Sequence, residues 1–586
     1  MTLQRDSALL GKKFNEYLFP TIISSMSILL ASFVDGIIVS ALVGDNAFSA
    51  VNLAEPVVLF MQALFFLFGI GGAIGISIAK GQRNNRKANA LFTLSFSASL
   101  ITALLVTIAG VLLIDPITST LCVDDALYDY AKHYALFNIF GSVFMIVVPY
   151  LVFIIRVDGM PKFSANILLV SNAVNLVMDF VYMGIFKMDT SGAALATVTG
   201  YAVGFVMELY YLVFFKKRTL SFIKISRAEL KYLGELSTGG IASVVNTVLL
   251  FVKALLLNRI VQVTSGADGM AVFSVCNLTV TFISMFVSGG SDTMTPIVSL
   301  LYGERDYKGI DMVLRKTFVF VSASCAVIVA FILLFPTVLL SLFSVTSPDR
   351  VAMGIPAVRI FSLSLLGMGV CCVIMNYLQA TKQKAISVLT TFLRGLIFTV
   401  PMAYFLSKAL GITGTCWAFV ISESLTASVI ILICFFVYRF KKEKYSGILL
   451  HERQAECSAL FDASLRPEAE QASQISDLTI GFLNENGISG KTADFAGVIA
   501  EETVEHIRRF NSGKKQPRID LICRVTDSAV ILSVRDNGET FDSSTVDGTE
   551  EEFSNLKMIN TLADKVSYTR ALGLNNTLIT IGREKC

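Results

Sequence analysis

The stretch NAVNLVMDF places two amides and one acid at helical spacing inside an otherwise apolar run. Asn172, Asn175 and Asp179 stand three and four residues apart, so they share one face of a helix. Amides donate to a carboxylate, and amide and carboxylate oxygens coordinate a hard cation. The spacing predicts a site for a proton or Na⁺. The alternative interpretation is a polar stripe that joins helices by hydrogen bonds.

Two further polar groups are expected at the height of Asp179. Asp35 lies 15 residues beyond Pro20, and Asp179 lies 18 residues beyond Pro161. At 1.5 Å per residue, both reach roughly 22 to 27 Å from the starts of their helices. Thr197, near the start of the next helix, falls in the same layer. The candidate ion-coupling residues are therefore Asp35, Asn172, Asn175, Asp179 and Thr197, with the Asp35 and Asp179 carboxylates as candidate Na⁺ ligands.

Other charges also fall inside apolar runs. A charged side chain near a bilayer centre costs at least roughly 2.5 to 3.5 kcal/mol, which makes any such residue a functional candidate. Glu55, Lys253 and Asp292 are the further candidates on this ground.

The elements that carry these residues are apolar and long. Of 586 residues, 54% are apolar and 16% charged, against about 25% charged in a soluble domain. Twelve runs are long enough to cross a hydrocarbon core of roughly 30 Å. They cover 16–42, 52–79, 92–114, 133–155, 164–186, 193–215, 237–262, 270–300, 317–343, 355–379, 386–407 and 412–438. The predicted class is an all-α polytopic membrane protein with twelve transmembrane helices.

The basic residues predict the orientation of these spans. Lys and Arg cluster in every second loop and after the last span, where they mark the cytoplasmic side. An inner-membrane protein with both termini in the cytoplasm is expected. The net charge of +3 largely reflects this bias, so no nucleic-acid partner is inferred.

An internal repeat divides the spans into two sets of six. SIAKGQRN from Ser77 aligns with SLLYGERD from Ser299, and SGAALATV from Ser191 aligns with TGTCWAFV from Thr413, both at an offset of 222 residues. An even number of spans per repeat gives both halves the same orientation, related by an axis along the membrane normal. Asp35 and Asp179 have no acidic counterpart in the second half, which favours a coupling site in the first.

The same residues resemble a known transporter family. VDGII with AVNL in the first two spans, RVDGMPK before the fifth, NLVMD within it and SGAALAT at the sixth are similar to the multidrug and toxin extrusion (MATE) family over residues 10–440. The resemblance implies two six-helix lobes that export organic cations against H⁺ or Na⁺. It also implies that Asp35, Asn175, Asp179 and Thr197 form the coupling site.

After the basic run KKEKY, the chain has the polarity of a soluble domain. EETVEHIRRF, RIDLICRV, AVILSVRDNGETF and NTLITI predict a two-layer α/β sandwich. Their order resembles the ATP-binding fold of histidine kinases and anti-sigma-factor kinases. By that resemblance Glu501, Asp536 and Gly538 are nucleotide-site candidates. Glu505 replaces the family's Mg²⁺-binding Asn, and Phe553, Ser554, Asn555 and Leu556 replace its glycine-rich lid. ATP and Mg²⁺ binding in the tail is therefore left open.

The predicted organisation has five parts. They are a six-helix lobe (1–215), a cytoplasmic linker (216–236), a second lobe (237–440), a basic linker (441–457) and the cytosolic domain (458–586). The predicted function is antiport of a cationic amphiphilic small molecule against H⁺ or Na⁺, with no required cofactor and no enzymatic activity. A lipid bilayer and a cytoplasmic regulatory protein are the other expected partners. A membrane-tethered kinase and a lipid-linked precursor flippase are the alternatives.

Overall fold

The computed structural model describes residues 4–122, 125–216, 218–342, 347–453, 457–488, 490–512, 517–542 and 554–583. Helices account for nearly all regular structure up to Phe440. They are α1 (Ala8–Leu42), α2 (Asp45–Gly81), α3 (Asn85–Leu112), α4 (Ile114–Leu121), α5 (Asp125–Phe140), α6 (Ser142–Val157), α7 (Pro161–Asp179), α8 (Thr190–Phe214), α9 (Tyr232–Gly303), α10 (Tyr307–Leu334), α11 (Pro336–Leu342), α12 (Pro348–Ala380), α13 (Lys384–Phe392), α14 (Thr399–Leu410) and α15 (Ile412–Phe440).

Ten helices in the described ranges are long and apolar enough to cross a membrane. An eleventh forms if α5 and α6, which meet at 55°, are one bent span. The polytopic helical class is therefore confirmed, with ten or eleven such spans in the described ranges against the predicted twelve. In this count α9 is one helix, although its backbone is not helical at Gly266, which has φ +64° and ψ −160°. A straight helix of 72 residues would be about 108 Å long, far more than one bilayer crossing.

The two halves of the repeat meet at matched glycines. A Cβ on Gly81 would lie 2.2 Å from the carbonyl oxygen of Leu300, and a Cβ on Gly303 would lie 2.3 Å from that of Ile78. Each of these Cβ atoms would also lie 3.0 Å from the Cα of the opposite glycine. Only glycine allows backbones to approach this closely. The ends of α2 and α9 therefore pack backbone to backbone.

The loops that follow these glycines have the same geometry in both halves. Arg83 and Arg305 both adopt a left-handed backbone, with φ of 56° and 58°. One residue later, the side chains of Asn84 and Asp306 accept hydrogen bonds from the first turns of α3 and α10. These two loops form much of the side of the helical domain that we call the tail-side face.

Two hydrophobic cores fill the helical domain. One consists mainly of side chains from α2 to α8, and the other of side chains from α9 to α15 together with Leu10, Phe14 and Tyr17 of α1. The first helix therefore belongs in sequence to the first half but packs against the second. Its far end, which carries Asp35, packs against α7 instead.

The tail is a helix layer on an antiparallel sheet. Strands β1 (Cys457–Leu465), β2 (Ile519–Thr526), β3 (Ala529–Asp536), β4 (Lys565–Ala571) and β5 (Leu574–Gly582) pair in the order β1-β2-β3-β5-β4. Helices α16 (Ala469–Glu485), α17 (Lys491–Phe510) and α18 (Ser554–Leu562) complete it. Val530, Leu532 and Val534 face the helices in the tail's own core. The residues between them, such as Ser533 and Arg535, face the helical domain because successive side chains along a strand point to opposite faces of the sheet.

Candidate functional site

Close packing of α7 against α8 positions the predicted site. A Cβ on Gly200 would lie 2.4 Å from the carbonyl oxygen of Ser171, and one on Gly204 would lie 2.4 Å from the Ser171 hydroxyl. The two glycines therefore bring the helices into backbone contact. One turn from Gly200, this places Thr197 of α8 beside Asn175 of α7.

Asn175 connects three of the predicted residues. Its amide lies 3.2 Å from Oδ1 of Asp35 on α1, and 3.3 Å from Oγ1 and 3.2 Å from the backbone N of Thr197. In the orientation that satisfies all three, Nδ2 donates to Asp35 and Oδ1 accepts from Thr197. Asn175 is 5% exposed, so α1, α7 and α8 converge on one buried amide, as the sequence predicts.

Asp179 lies beside Asp35 and is 0% exposed. Neither of its carboxylate oxygens accepts a hydrogen bond from the described residues. The two carboxyl groups can bond to each other only if one of them is protonated. A buried acid without a donor is costly, and two adjacent ionised acids repel each other. The pair therefore needs a proton or a cation.

The helix changes its geometry directly after Asp179. Residues Phe180–Ile185 form a π-helical turn, a rare distortion that is frequently found at functional sites. Nothing in the sequence marked it. The turn ends α7 at the acid itself and places Met183 in an apolar cluster with Ile38 and Ala193, which covers the site.

Sequence reasoning missed two tyrosines at this site. Tyr134 of α5 interacts electrostatically with Asp35, Asp179 and Glu55. Tyr201 of α8 interacts electrostatically with Asp35. The predicted residue Glu55 of α2 interacts electrostatically with the same Tyr134. A tyrosine among apolar residues has no spacing signal, so only the fold reveals these neighbours.

Asn172 is separate from the acidic pair. Its Nδ2 donates to Oγ of Ser27 on α1 at 2.8 Å. Seven residues of helix put it about 10 Å from Asp179 along the axis. Its visible role is to hold α1 against α7.

We expect Asn172→Leu to leave efflux within about threefold of the wild type, because only a helix-to-helix hydrogen bond is lost. Such bonds contribute roughly 0.6 to 1.7 kcal/mol in membrane proteins. Asn175→Leu removes the same side chain one turn closer to the acids and should reduce the rate more than tenfold. Initial efflux rates at equal protein amounts compare the two variants. Equal losses would contradict the separation of the two amides.

The other intramembrane candidates lie elsewhere. Lys253 of α9 lies over the ring of Phe419, 5.3 Å from its centroid. Asp292 of α9 lies within electrostatic reach of Arg156 from the first half. Neither joins the Asp35 cluster. In the described residues, no group of three or more His, Cys, Asp or Glu side chains has the arrangement of a metal site.

In the tail, Asp536 is buried at the end of β3. Its Oδ1 accepts from the backbone N of Gly538 at 2.7 Å and from Nδ2 of Asn575 at 2.9 Å. Burial raises the pKa of Asp536 to about 6. It borders a cavity of about 30 Å³, which is room for roughly one or two water molecules. His506, Phe510 and Phe541 stack against one another there, with centroids 4.7 to 5.9 Å apart.

The acidic residues of α17 do not form a Mg²⁺ site. Hydrogen bonds from Arg508 and Arg509, each 2.6 Å long, lower the pKa of Glu505 to about 2. That carboxylate is already neutralised, and Glu501 is half-buried one turn away. Phe553 of the expected lid lies outside the described residues. The tail therefore keeps a buried acceptor at Asp536, but the residues present do not fit a nucleotide with its phosphates and metal.

The MatE family model matches residues 20–181 and matches again over residues 242–405. The two matches cover more than half of the chain and coincide with the two halves of the repeat. The chain belongs to the MatE family. Members of this family are secondary transporters, so the prediction of a multi-pass membrane transporter that is not an enzyme is confirmed.

Individual proteins agree with this assignment. The multidrug export protein MepA of Staphylococcus haemolyticus is 24% identical over 433 residues, which cover 73% of this MatE chain and 94% of that protein. MepA of Staphylococcus aureus is 23% identical over 429 residues, with 72% and 93% covered.

Solved structures share the MatE fold. One is the outward-facing conformation of a multidrug resistance MATE family transporter (TM-score 0.69, 22% identity), covering 75% of this chain and 100% of that one. Another is a transporter of the MOP superfamily from Pyrococcus furiosus whose binding pocket has reverse polarity (TM-score 0.67, 23% identity). It covers 72% of this chain and 94% of its own. At these identities the likeness shows the fold.

Proposed function

We propose that this MatE transporter exports small organic cations, drugs among them, in exchange for H⁺ or Na⁺. The observation that supports the proposal most is the pair of half-buried Asp35 and fully buried Asp179, which has an amide and a hydroxyl beside it but no basic partner within 4 Å among the described residues. The names of the MepA relatives, which are multidrug export proteins, support the substrate class.

The acidic pair supplies the coupling. With a proton or Na⁺ between the carboxyl groups, their mutual repulsion is relieved and the pair carries one negative charge instead of two. Without it, the pair attracts another cation. A site that holds either the ion or the substrate, but not both, converts an ion gradient into export when the lobes expose it alternately to the two sides. Asn175 and Thr197 keep Asp35 in place during the exchange.

The proposed topology has twelve spans. Counting α5 with α6 as one bent span and the two parts of α9, 232–265 and 267–303, as separate spans gives twelve. The basic loops then lie in the cytoplasm with both termini. The proposed lobes and linkers keep the boundaries expected from the sequence, except that α9 begins at Tyr232 and β1 at Cys457, both inside the expected linkers. The break at Gly266 supports this count, because a long helix must reverse there to remain in the bilayer.

We assign the tail a regulatory role rather than catalysis. The aromatic stack beside Asp536 and the neutralised Glu505 argue against phosphoryl transfer, which disfavours the membrane-tethered kinase. The acidic cluster and the family assignment disfavour the precursor flippase. A substrate with an anionic group is the other outcome to test, because the second half has two basic residues, Lys253 and Arg394, near a single acid, Glu423, which pairs with Arg394 at 2.7 Å.

Purified protein in proteoliposomes loaded with ethidium, a fluorescent organic cation, tests the proposal. We expect dye release when an inward pH gradient or an inward Na⁺ gradient is imposed, and little release without either. An anionic dye measured in parallel reports the substrate charge. Failure of both gradients to drive release of ethidium from correctly inserted protein would contradict the proposed antiport.

A further inference from the structure

We propose that the tail is an interlobe latch: its sheet binds the loops of both lobes at once and restrains the opening of the tail-side face. The inference extends the proposed transport function, because it concerns the movement that transport requires. It concerns β3 above all, since that one strand contacts both lobes.

The contacts with the second lobe are buried ion pairs. Arg535 of β3 contacts Glu304 and Asp306 of the loop between α9 and α10, at 3.2 Å to Asp306. Arg5 from the N-terminal segment binds both oxygens of Asp306, at 2.7 and 2.5 Å. Asp520 of β2 lies 3.9 Å from both arginines. The N-terminal segment, the loop between α9 and α10 and the sheet are therefore joined by buried charges.

The carboxylate of Asp306 remains ionised at neutral pH. Burial alone would raise the pKa of Asp306, but the guanidinium groups of Arg5 and Arg535 hold it well below the usual range. Its folded pKa is depressed, so this stabilisation is present above about pH 4 and is lost only as the pH falls further. The ion pairs of Asp306 with Arg5 and Arg535 are therefore intact throughout the physiological range.

The contacts with the first lobe are uncharged on the tail side. Ser533 of β3 accepts a hydrogen bond from Arg83 at 3.1 Å, and Thr569 of β4 donates to Asn85 at 3.3 Å. The turn between β4 and β5 also meets the loop before α7, where a Cβ on Gly159 would lie 2.6 Å from the backbone N of Gly573. These bonds are weaker than the buried ion pairs, so they should release first.

The spacing along β3 explains the restraint. Ser533 and Arg535 are two residues apart on the same face, which separates their contacts by roughly 7 Å. They hold the loops that follow the paired glycines Gly81 and Gly303. If these helix ends part to open the tail-side face, a single strand cannot follow both loops. The bonds to Arg83 and Asn85 must therefore break, and their strength limits opening.

Two double variants of the full-length protein weaken one side of the latch each. Ser533→Ala with Thr569→Ala removes the uncharged bonds, and Arg535→Gln with Glu304→Gln removes one charge of each sign, which avoids leaving a buried charge unpaired. The control is Arg350→Gln with Asp268→Asn, a pair 2.7 Å apart within the second lobe and outside the tail contacts. All three pairs preserve the net charge.

Hydrogen–deuterium exchange and ethidium release are measured for each protein. We expect both latch variants, but not the control, to exchange faster at loops 82–86 and 304–308 and at the glycine seam 74–81, and to release ethidium at least threefold faster. Unchanged exchange at the loops would show that the tail does not dock there. Faster loop exchange with an unchanged seam and unchanged or slower release would show a docked tail that does not restrain opening.

The exchange measurement separates this inference from the proposed antiport. If no protein, including the wild type, releases dye under either gradient, the antiport proposal fails. Seam exchange then decides the latch by itself, because it reports opening without a transported substrate. The Ser533→Ala, Thr569→Ala variant leaves every buried charge in place, so it remains informative if the charge variant does not fold.

Discussion

Replacing Asp179 with asparagine is expected to abolish ion-coupled efflux while leaving the protein folded. The side chain is fully buried beside Asp35, and no described donor reaches its oxygens. Asparagine has nearly the same volume and removes the repulsion within the pair, so stability should be unchanged or improved. The pair is then fixed at the single negative charge that it has with the ion bound, so it no longer exchanges an ion for the substrate, and ethidium release should fall by at least 100-fold.

Glu208→Gln is the matched control for this variant. Glu208 lies on α8 of the same half, is 0% exposed and also lacks a described hydrogen-bond donor, but it is not part of the Asp35 cluster. We expect its release rate to stay within about threefold of the wild type. Gradient-driven release that survives in Asp179→Asn, at matched expression, would rule out the acidic pair as the coupling site.

Gly81→Ala is expected to reduce transport at least tenfold, although it adds a single methyl group. The new Cβ would lie 2.2 Å from the carbonyl oxygen of Leu300 and 3.0 Å from the Cα of Gly303. Both obstacles are backbone atoms, so the helix ends must move apart. The closed arrangement of the tail-side face is lost, and with it one of the two states between which an alternating-access transporter moves.

Gly75→Ala provides the comparison on the same helix. Its Cβ would meet only the Leu91 side chain, at 3.3 Å, and a leucine can shift its rotamer at little cost. Release by this variant should remain near the wild-type rate. Transport measured for both variants, with exchange at 74–81 as the structural readout, tests whether the glycine seam matters. Equal behaviour of the two would contradict that role.

Helical geometry is regular, so the sequence could predict which of these residues lie near one another. A rise of 1.5 Å per residue predicted one height for Asp35, Asp179 and Thr197. In the structure Asn175 joins Asp35 to Thr197, and Asp179 lies beside Asp35. The same reasoning grouped Asn172 with them, since it shares their face. Residues on one face of a helix can still lie at different depths along its axis. Asn172 instead bonds to Ser27, which lies two turns from Asp35 along α1.

The remaining features depend on contacts between distant segments. The π-helical turn after Asp179 and the position of Tyr134 follow from packing, which periodicity does not report. In the tail, the pattern predicted α17, β2, β3 and β5. It did not reveal that Phe541 fills the space beside Asp536. It also did not reveal that Arg535, the residue before Asp536 on β3, binds the loop between α9 and α10 of the helical domain.

The most direct test of the proposed coupling is ion displacement by substrate in purified protein. Saturating ethidium should release either protons, detected with a pH indicator in weak buffer, or bound ²²Na⁺, and the release should be absent in both Asp35→Asn and Asp179→Asn. Release of neither ion from wild-type protein that binds the dye, or undiminished release from both variants, would contradict exchange at the acidic pair.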